Sequence, residues 1–160
     1  MEKQTFQKET TNSTNVIAKS ADVNIDVIKI GNFNVFGERV SIRYDIDQTI
    51  CIGSFNMFDC GTVVEKNVYI GNCCTFGIYV HVNKICVIGN NNTIGNGTSI
   101  CSGCRIGNNC SIGDGVSINE CCQIGNNVTI GGNVTIPKGL TIPDGSVITL
   151  KTDWSKFCKI

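Results

Sequence analysis

The sequence predicts an all-β protein folded as a single-stranded parallel β-helix, a triangular prism of 18 residues per coil with a short C-terminal cap. One observation is that isoleucine recurs at every sixth position from Ile88 to Ile148. A second is that an Ile-Gly-Asn-Asn tetrad returns every eighteen residues, at 88–91, 106–109 and 124–127. A period of six fits neither the roughly 3.6 residues of a helical turn nor the alternation of an isolated strand, and fixed periods are typical of solenoids.

Each six-residue unit follows the same pattern, and we call the residue that opens it the frame residue. Glycine usually comes next, as a sharp corner with positive φ or a close backbone approach requires. A small or β-branched residue comes four positions after the frame residue, and both positions are expected to point inward. Before the isoleucine series, the frame residues are Ile30, Phe36, Ile42, Ile52, Phe58, Val64, Ile70, Phe76 and Val82.

Asparagine recurs at one corner with the longer period of eighteen. Asn72, Asn90, Asn108 and Asn126 are predicted to stack, and Asp144 falls on the next step. Asparagine tolerates a left-handed backbone and hydrogen-bonds to neighbouring backbone groups. The column therefore predicts a ladder that satisfies the backbone of the turns.

The chain divides into three parts. Residues 1–16 are polar without periodicity, which predicts a flexible N-terminal arm. Residues 17–150 predict the β-helix. Residues 151–160 break the repeat and predict a C-terminal cap, in which Trp154 and Phe157 cover the open end of the core.

The repeat is irregular near its start. The frame slips by four residues between Ile42 and Ile52, which predicts a surface loop within residues 43–51. The apolar positions of residues 16–28 suggest a capping turn or an irregular first coil whose register the sequence does not fix.

Charge and composition exclude several classes of function. Thirteen basic and thirteen acidic side chains cancel without forming runs, which argues against nucleic acid or an anionic membrane as partner and favours proteins. No apolar stretch reaches the roughly 18 residues of a membrane span, and the N-terminus is polar, so we expect neither membrane insertion nor a secretory signal. The eleven cysteines are an odd number, and we expect reduced thiols in a cytoplasmic protein.

Three of the cysteines raise the question of a metal site. Cys86, Cys104 and Cys122 are eighteen residues apart and are predicted to stack inside the prism. Stacked thiols lie in a line along one wall and do not converge on a tetrahedral centre. We therefore expect small buried core residues and assign no metal ligand and no cofactor.

His81 is the sole histidine and is predicted to face solvent on a flat wall. An exposed imidazole could serve as a general base, but a base needs an orienting partner. The adjacent coils offer only Val63 and Ser99 directly opposite, so no catalytic residue is assigned. The carboxylates that the repeat scatters over solvated corners are Asp59, Glu65, Asp114, Glu120 and Asp144.

Aromatic residues at the corners are candidates for binding a protein partner. Phe33 and Phe55 each lie three positions after a frame isoleucine, one coil apart once the insertion is removed. Exposed aromatic pairs often mark contacts. The open alternative is that the N-terminal arm or the loop within residues 43–51 covers them. Weaker candidates are Tyr44, Tyr79, Trp154 and Phe157.

Hexads of the form aliphatic-Gly-x-x-small-x cover nearly all of residues 30–150 and resemble those of the left-handed β-helix proteins. That resemblance implies a left-handed coil. The resemblance to the acyltransferases of this family implies a trimer with a histidine at the subunit interface. Only His81 could take that role in this chain, and the acyl donor would be acyl-CoA or a similar thioester. The γ-class carbonic anhydrases bind zinc through three histidines, which this chain lacks, so an inactive relative of that class is a further alternative.

Short segments also resemble the dynactin pointed-end subunits 5 and 6. They include residues 26–31 (DVIKIG), 52–56 (IGSFN) and 79–89 (YVHVNKICVIG). The resemblance implies a non-catalytic scaffold for dynein-based microtubule transport, with a second β-helix subunit and an actin-related protein as partners and a cytoskeletal location. We therefore predict an adaptor without enzymatic activity, and keep the acyltransferase as the alternative.

Overall fold

The computed structural model describes residues 14–158 and shows a parallel β-helix with three faces. Face A contains eight strands, face B six and face C seven, and each strand is two residues long. The predicted all-β solenoid of 18 residues per coil is therefore confirmed. The strands are β1 (Val16–Ile17), β2 (Lys29–Ile30), β3 (Val35–Phe36), β4 (Ser41–Ile42), β5 (Cys51–Ile52), β6 (Met57–Phe58), β7 (Val63–Val64), β8 (Tyr69–Ile70), β9 (Thr75–Phe76), β10 (His81–Val82), β11 (Val87–Ile88), β12 (Thr93–Ile94), β13 (Ser99–Ile100), β14 (Arg105–Ile106), β15 (Ser111–Ile112), β16 (Ser117–Ile118), β17 (Gln123–Ile124), β18 (Thr129–Ile130), β19 (Thr135–Ile136), β20 (Thr141–Ile142) and β21 (Val147–Ile148).

Strands on one face belong to successive coils. Face A is ordered β1-β3-β6-β9-β12-β15-β18-β21, face B β4-β7-β10-β13-β16-β19, and face C β2-β5-β8-β11-β14-β17-β20. All neighbours are parallel, as in the pairing of His81 with Ser99. The frame residues point inward and form one core, in which Phe36, Phe58 and Phe76 stack with ring centroids 4.9 and 4.7 Å apart.

Close approach of successive coils explains the glycine after the frame residue. A Cβ added to Gly89 would lie 2.6 Å from the carbonyl oxygen of Gly107 in the next coil, a distance that real Cβ atoms do not reach. The left-handed backbone lies two residues further on, at Asn91, with φ of 56°. Glycine is thus needed at this corner for space, and the turn itself is made by the residue after the asparagine ladder.

The predicted asparagine ladder is present. The Asn72 backbone N–H donates to Oδ1 of Asn90 at 2.8 Å, and the same bond repeats from coil to coil. It begins with the Ser54 N–H on Asn72 and ends with the Asn126 N–H on the Asp144 carboxylate at 2.7 Å. Each side chain therefore satisfies a turn donor of the coil before it.

A partial coil precedes the regular prism. β1 pairs with β3 through Val16 and Val35, an offset of nineteen, so this coil holds one extra residue. Residues 1–13 of the predicted arm lie outside the described residues. The irregular first coil expected for residues 16–28 is therefore a partial coil in register with face A.

The C-terminal end of the core is covered by a short 3₁₀ helix, Trp154–Lys156. Its cap is Asp153, which accepts a hydrogen bond from the Ser155 backbone N–H. The Trp154 and Phe157 rings lie 5.9 Å apart, and both side chains are partly buried against the hydrophobic core. Within residues 14–158, no helix has the length and apolar character to cross a membrane.

The insertion leaves the prism between β4 and β5. Ile50 returns to the core as the inward residue before β5. Two ion pairs tie the loop to the next coil: Arg43 Nη1 lies 2.7 Å from Glu65 Oε1, and Lys66 Nζ lies 3.1 Å from Asp45 Oδ2. The loop lies where the slip in the frame predicts it.

Candidate active site

Face B differs from the other faces at the position after the frame residue. On face C this position is glycine in six successive coils, from Gly31 to Gly125. On face B it carries a side chain in every coil, and we call this column the face B ridge. Its members are Arg43, Glu65, Asn83, Cys101, Asn119 and Pro137.

His81 lies beside the ridge and contacts one of its members. The imidazole Nε2 lies 3.4 Å from Glu65 Oε1, with 43% of the histidine side chain exposed and 21% of the glutamate. Val63 is directly opposite His81, and Glu65 follows two residues later on the same outer side of the strand. Long side chains reach such diagonal neighbours across paired strands.

This contact corrects the prediction that His81 has no carboxylate beside it. That prediction considered only the residues directly opposite, Val63 and Ser99, and therefore missed the diagonal position. The missing glycine after Val64 was the signal that could have located Glu65. Glu65 therefore does not lie at a solvated corner, because its side chain is mostly buried and contacts two other side chains.

Arg43 is the second partner of Glu65. Its Nη1 donates to the same Oε1 that faces His81, at 2.7 Å. The three residues come from successive coils of face B, so the parallel register brings them together. A carboxylate oxygen can accept both bonds, and the guanidinium bond is short and charge-assisted.

The arrangement assigns the two imidazole nitrogens. A carboxylate accepts and does not donate, so the Nε2–H of His81 donates to Glu65 and the neutral ring keeps its lone pair on Nδ1. A partly exposed imidazole whose second nitrogen is held by a carboxylate is the arrangement of a general base. Face B therefore has the parts for abstracting a proton.

The stacked cysteines belong to the core, as predicted. Cys86, Cys104 and Cys122 are fully buried, and each thiol donates to a backbone carbonyl of the next coil at 3.1 Å. Hydrogen bonding to Cys104 and burial raise the pKa of the Cys122 thiol, so it stays protonated. Among residues 14–158, no group of three or more His, Cys, Asp or Glu side chains could hold a metal ion.

Phe33 and Phe55 stack on each other at the corner between faces C and A. Their ring centroids lie 5.1 Å apart at an interplanar angle of 16°, and the residues are 53% and 60% exposed. Both have left-handed backbones, with φ of 59° and 61°. Thr14 also reaches this corner, where its hydroxyl accepts the Phe33 N–H. Their role in binding a partner stays a prediction.

The other predicted contact residues lie elsewhere. Tyr79, between faces A and B, covers Gly61 and lies under the Arg39 guanidinium, 5.9 Å from the ring centroid. Tyr44 is in the insertion loop, where its hydroxyl accepts a bond from Asn24 at 3.4 Å. Trp154 and Phe157 form the C-terminal cap, so the six residues do not make one surface.

Comparison with known proteins identifies the repeat. The family description "Bacterial transferase hexapeptide (six repeats)" matches residues 85–120 and 103–138. No curated protein matches the chain.

Solved acyltransferases share the fold. The UDP-N-acetylglucosamine acyltransferase LpxA from Bacteroides fragilis is 24% identical, with a TM-score of 0.75 over 82% of this chain and 56% of that one. LpxA from Moraxella catarrhalis is 20% identical, with a TM-score of 0.57 over 81% and 69%. A histidine-to-alanine mutant of GDP-perosamine N-acetyl transferase from Caulobacter crescentus, in complex with CoA and GDP-perosamine, is 18% identical, with a TM-score of 0.54 over 86% and 53%.

The chain thus spans little more than half the length of two of these enzymes. The prediction of a non-catalytic, dynactin-like scaffold is wrong, because these similar structures are acyltransferases and nothing in the comparisons points to dynactin, microtubules or dynein. The segments that suggested dynactin are repeat hexads, and repeats of one kind align with each other in many registers. Residues 85–138 of the chain thus match the hexapeptide-repeat description, and the three-sided coil is a fold that the chain shares with these acyltransferase structures.

Proposed function

We propose that the chain is an acyltransferase that moves an acyl group from a CoA-type thioester to a hydroxyl or amino group of a sugar nucleotide. The observation that carries the proposal is the contact between His81 and Glu65 on an exposed face. The similar structures support the substrate classes, since they are acyltransferases for UDP-N-acetylglucosamine and for GDP-perosamine, the latter with CoA.

The reaction requires one proton acceptor. Nδ1 of His81 takes the proton from the acceptor's O–H or N–H as that oxygen or nitrogen attacks the thioester carbonyl carbon. The C–S bond of the tetrahedral intermediate then breaks, and the thiolate leaves with the proton from the imidazolium. The Glu65 carboxylate accepts the Nε2–H of His81 throughout and stabilises the imidazolium.

The neighbours of His81 offer both polar and apolar contacts to a substrate. Ser99 stands directly opposite on the next coil and presents a hydroxyl. Val63 stands opposite on the preceding coil and presents an apolar side chain. The proposal therefore places the acceptor's polar groups toward Ser99 and the acyl chain toward Val63.

Acyl transfer can be tested with the full chain, acetyl-CoA or longer acyl-CoA, and UDP- or GDP-linked amino sugars. Acylated product and free CoA are best counted by mass spectrometry, because eleven free cysteines would interfere with thiol reagents. We expect product with the wild type and a loss of about 100-fold or more with His81→Asn, since a general base contributes roughly 10²–10⁴-fold.

Ser117→Ala is the matched control, because Ser117 is on face B two coils from His81 and lies outside the proposed site. It should keep the wild-type rate. Equal rates for wild type and His81→Asn, or no acyl transfer to any acceptor offered, would contradict the proposed function.

A further inference from the structure

We infer that Arg43 is a positioning residue, which fixes the Glu65 carboxylate so that it faces His81. The inference rests on the proposed function for its consequence in catalysis, but its geometric part concerns His81, Glu65 and Arg43 alone. It gives Arg43, a member of the face B ridge, a role at the site.

The contact distances show which bond holds Glu65. The Arg43–Glu65 bond is 2.7 Å, whereas the His81–Glu65 bond is 3.4 Å, and both end on Oε1. A bond of 3.4 Å is too long to fix a flexible glutamate by itself. The short charge-assisted bond to Arg43 therefore sets the orientation of the carboxylate, and the imidazole contacts a group already in place.

Partial burial strengthens this effect. Exposed ion pairs contribute little because water screens them and both side chains lose rotamer freedom. The Glu65 side chain is only 21% exposed, so fewer alternative rotamers and less water compete for it than at the open corners. Without Arg43, Glu65 would be free to turn toward its neighbour Lys66 or toward solvent.

The position of Arg43 in the chain explains why it can reach Glu65. Arg43 is the first residue after β4, at the start of the four-residue insertion. The second ion pair, between Asp45 and Lys66 at 3.1 Å, fastens the same loop to the residue after Glu65. Since this second bond does not touch Glu65 or His81, the two ion pairs can be separated by substitution.

The first readout is chemical and independent of activity. Diethyl pyrocarbonate reacts at an unprotonated imidazole nitrogen, which attacks a carbonyl carbon and forms an N–C bond with loss of ethanol and carbon dioxide. His81 is the sole histidine, so its modification can be followed on one peptide by mass spectrometry. At about pH 8, the rate reports the nucleophilicity of Nδ1.

We expect Arg43→Ala to slow this modification about fivefold, the equivalent of a hydrogen bond worth ~1 kcal/mol. Glu65→Gln should slow it to the same extent, and Arg43→Ala added to Glu65→Gln should change nothing more. Arg43→Lys should restore part of the rate. Asp45→Asn, which breaks only the second ion pair, should behave as the wild type.

The second readout is kcat for acyl transfer in the same variants, where the same pattern is expected with KM unchanged. An Arg43→Ala effect that persists in the Glu65→Gln background would overturn the inference, because Arg43 would then act directly on substrate. An equal effect of Asp45→Asn would also overturn it, by showing that only the fold of the loop matters. The expected pattern of modification rates without acyl transfer by any variant or by the wild type would instead contradict the proposed function alone.

Discussion

The amide oxygen of Asn90 accepts the backbone N–H of Asn72 at 2.8 Å, across the gap between two coils. It also accepts the Asn72 side-chain amide at 3.0 Å. One side chain therefore satisfies two donors of the preceding coil. Because this pairing repeats along the corner, the ladder adds a column of side-chain hydrogen bonds to the backbone bonds that link successive coils.

Asn108→Ala should destabilise the protein by ~1–3 kcal/mol, because it leaves the Asn90 N–H without its acceptor at 2.7 Å. Asn119→Ala is the control, since Asn119 lies on the face B ridge outside the ladder. Urea unfolding measures both. A similar small loss for the two variants would show that water replaces the ladder without cost.

Phe58→Ala should cost ~3–5 kcal/mol, because Phe58 is fully buried between Phe36 and Phe76 and its loss leaves a cavity. Phe58→Leu keeps most of the volume and should cost much less. The denaturant concentration at the midpoint of unfolding measures the loss of stability in each variant. Equal midpoints for the two variants would mean that the core collapses around the cavity.

Gly89→Ala tests the close approach of the coils. The added Cβ would meet the Asn108 Oδ1 at 2.5 Å as well as the Gly107 backbone. We therefore expect Gly89→Ala to lower the free energy of unfolding more than Gly97→Ala does. Gly97 has open space around it but φ of 64°, and alanine there should cost about 1 kcal/mol. If Gly97→Ala instead lowered the melting temperature more than Gly89→Ala, the strain of a left-handed backbone would outweigh the steric contact between coils.

Cysteine alkylation should separate core from surface thiols. Burial raises the pKa of the Cys74 and Cys110 thiols, so at about pH 8 they carry little of the reactive thiolate. Iodoacetamide should label Cys73, Cys121 and Cys158 in the native protein, and mass spectrometry of the peptides checks this. Labelling of Cys110 at the rate of Cys73 would contradict the buried assignment.

Cys104→Ser should lower stability without releasing a metal ion. The Cys104 thiol donates to the Asn119 carbonyl inside the prism, where a serine hydroxyl is more costly to bury. Unfolding experiments measure the loss, and elemental analysis of both proteins measures metal content. Stoichiometric zinc in the wild type that disappears with Cys104→Ser would contradict the core assignment.

Much of the fold could be predicted because each frame residue has one environment in every coil. The inward direction of Phe58 and the stacking of Asn72 on Asn90 follow from the period alone. The candidate site could not be predicted this way. The contact of Glu65 with His81 depends on a diagonal across two strands, and the contact with Arg43 depends on pairing β4 with β7 across the four-residue insertion.

Function was harder to predict for a related physical reason. Positions such as Ile88 and Gly89 are dictated by packing, so they describe any prism of this type whatever it does. Segments such as residues 79–89 therefore resemble dynactin subunits because they are repeat hexads, which carry no information about role. The residues that indicate a chemical function are those at positions where packing of the coils does not determine the residue type.

The face B ridge is such a place. At Gly53, Gly71, Gly89 and Gly107, the next coil leaves no room for a side chain, so that corner cannot change without disturbing the stack. The ridge has the same place in the repeat but accommodates the side chains of Arg43, Glu65, Asn83 and Cys101 in successive coils. Residues of the face B ridge can thus be substituted one at a time while the other corners keep the coils together. The ridge is therefore the natural starting point for redesigning what the protein binds.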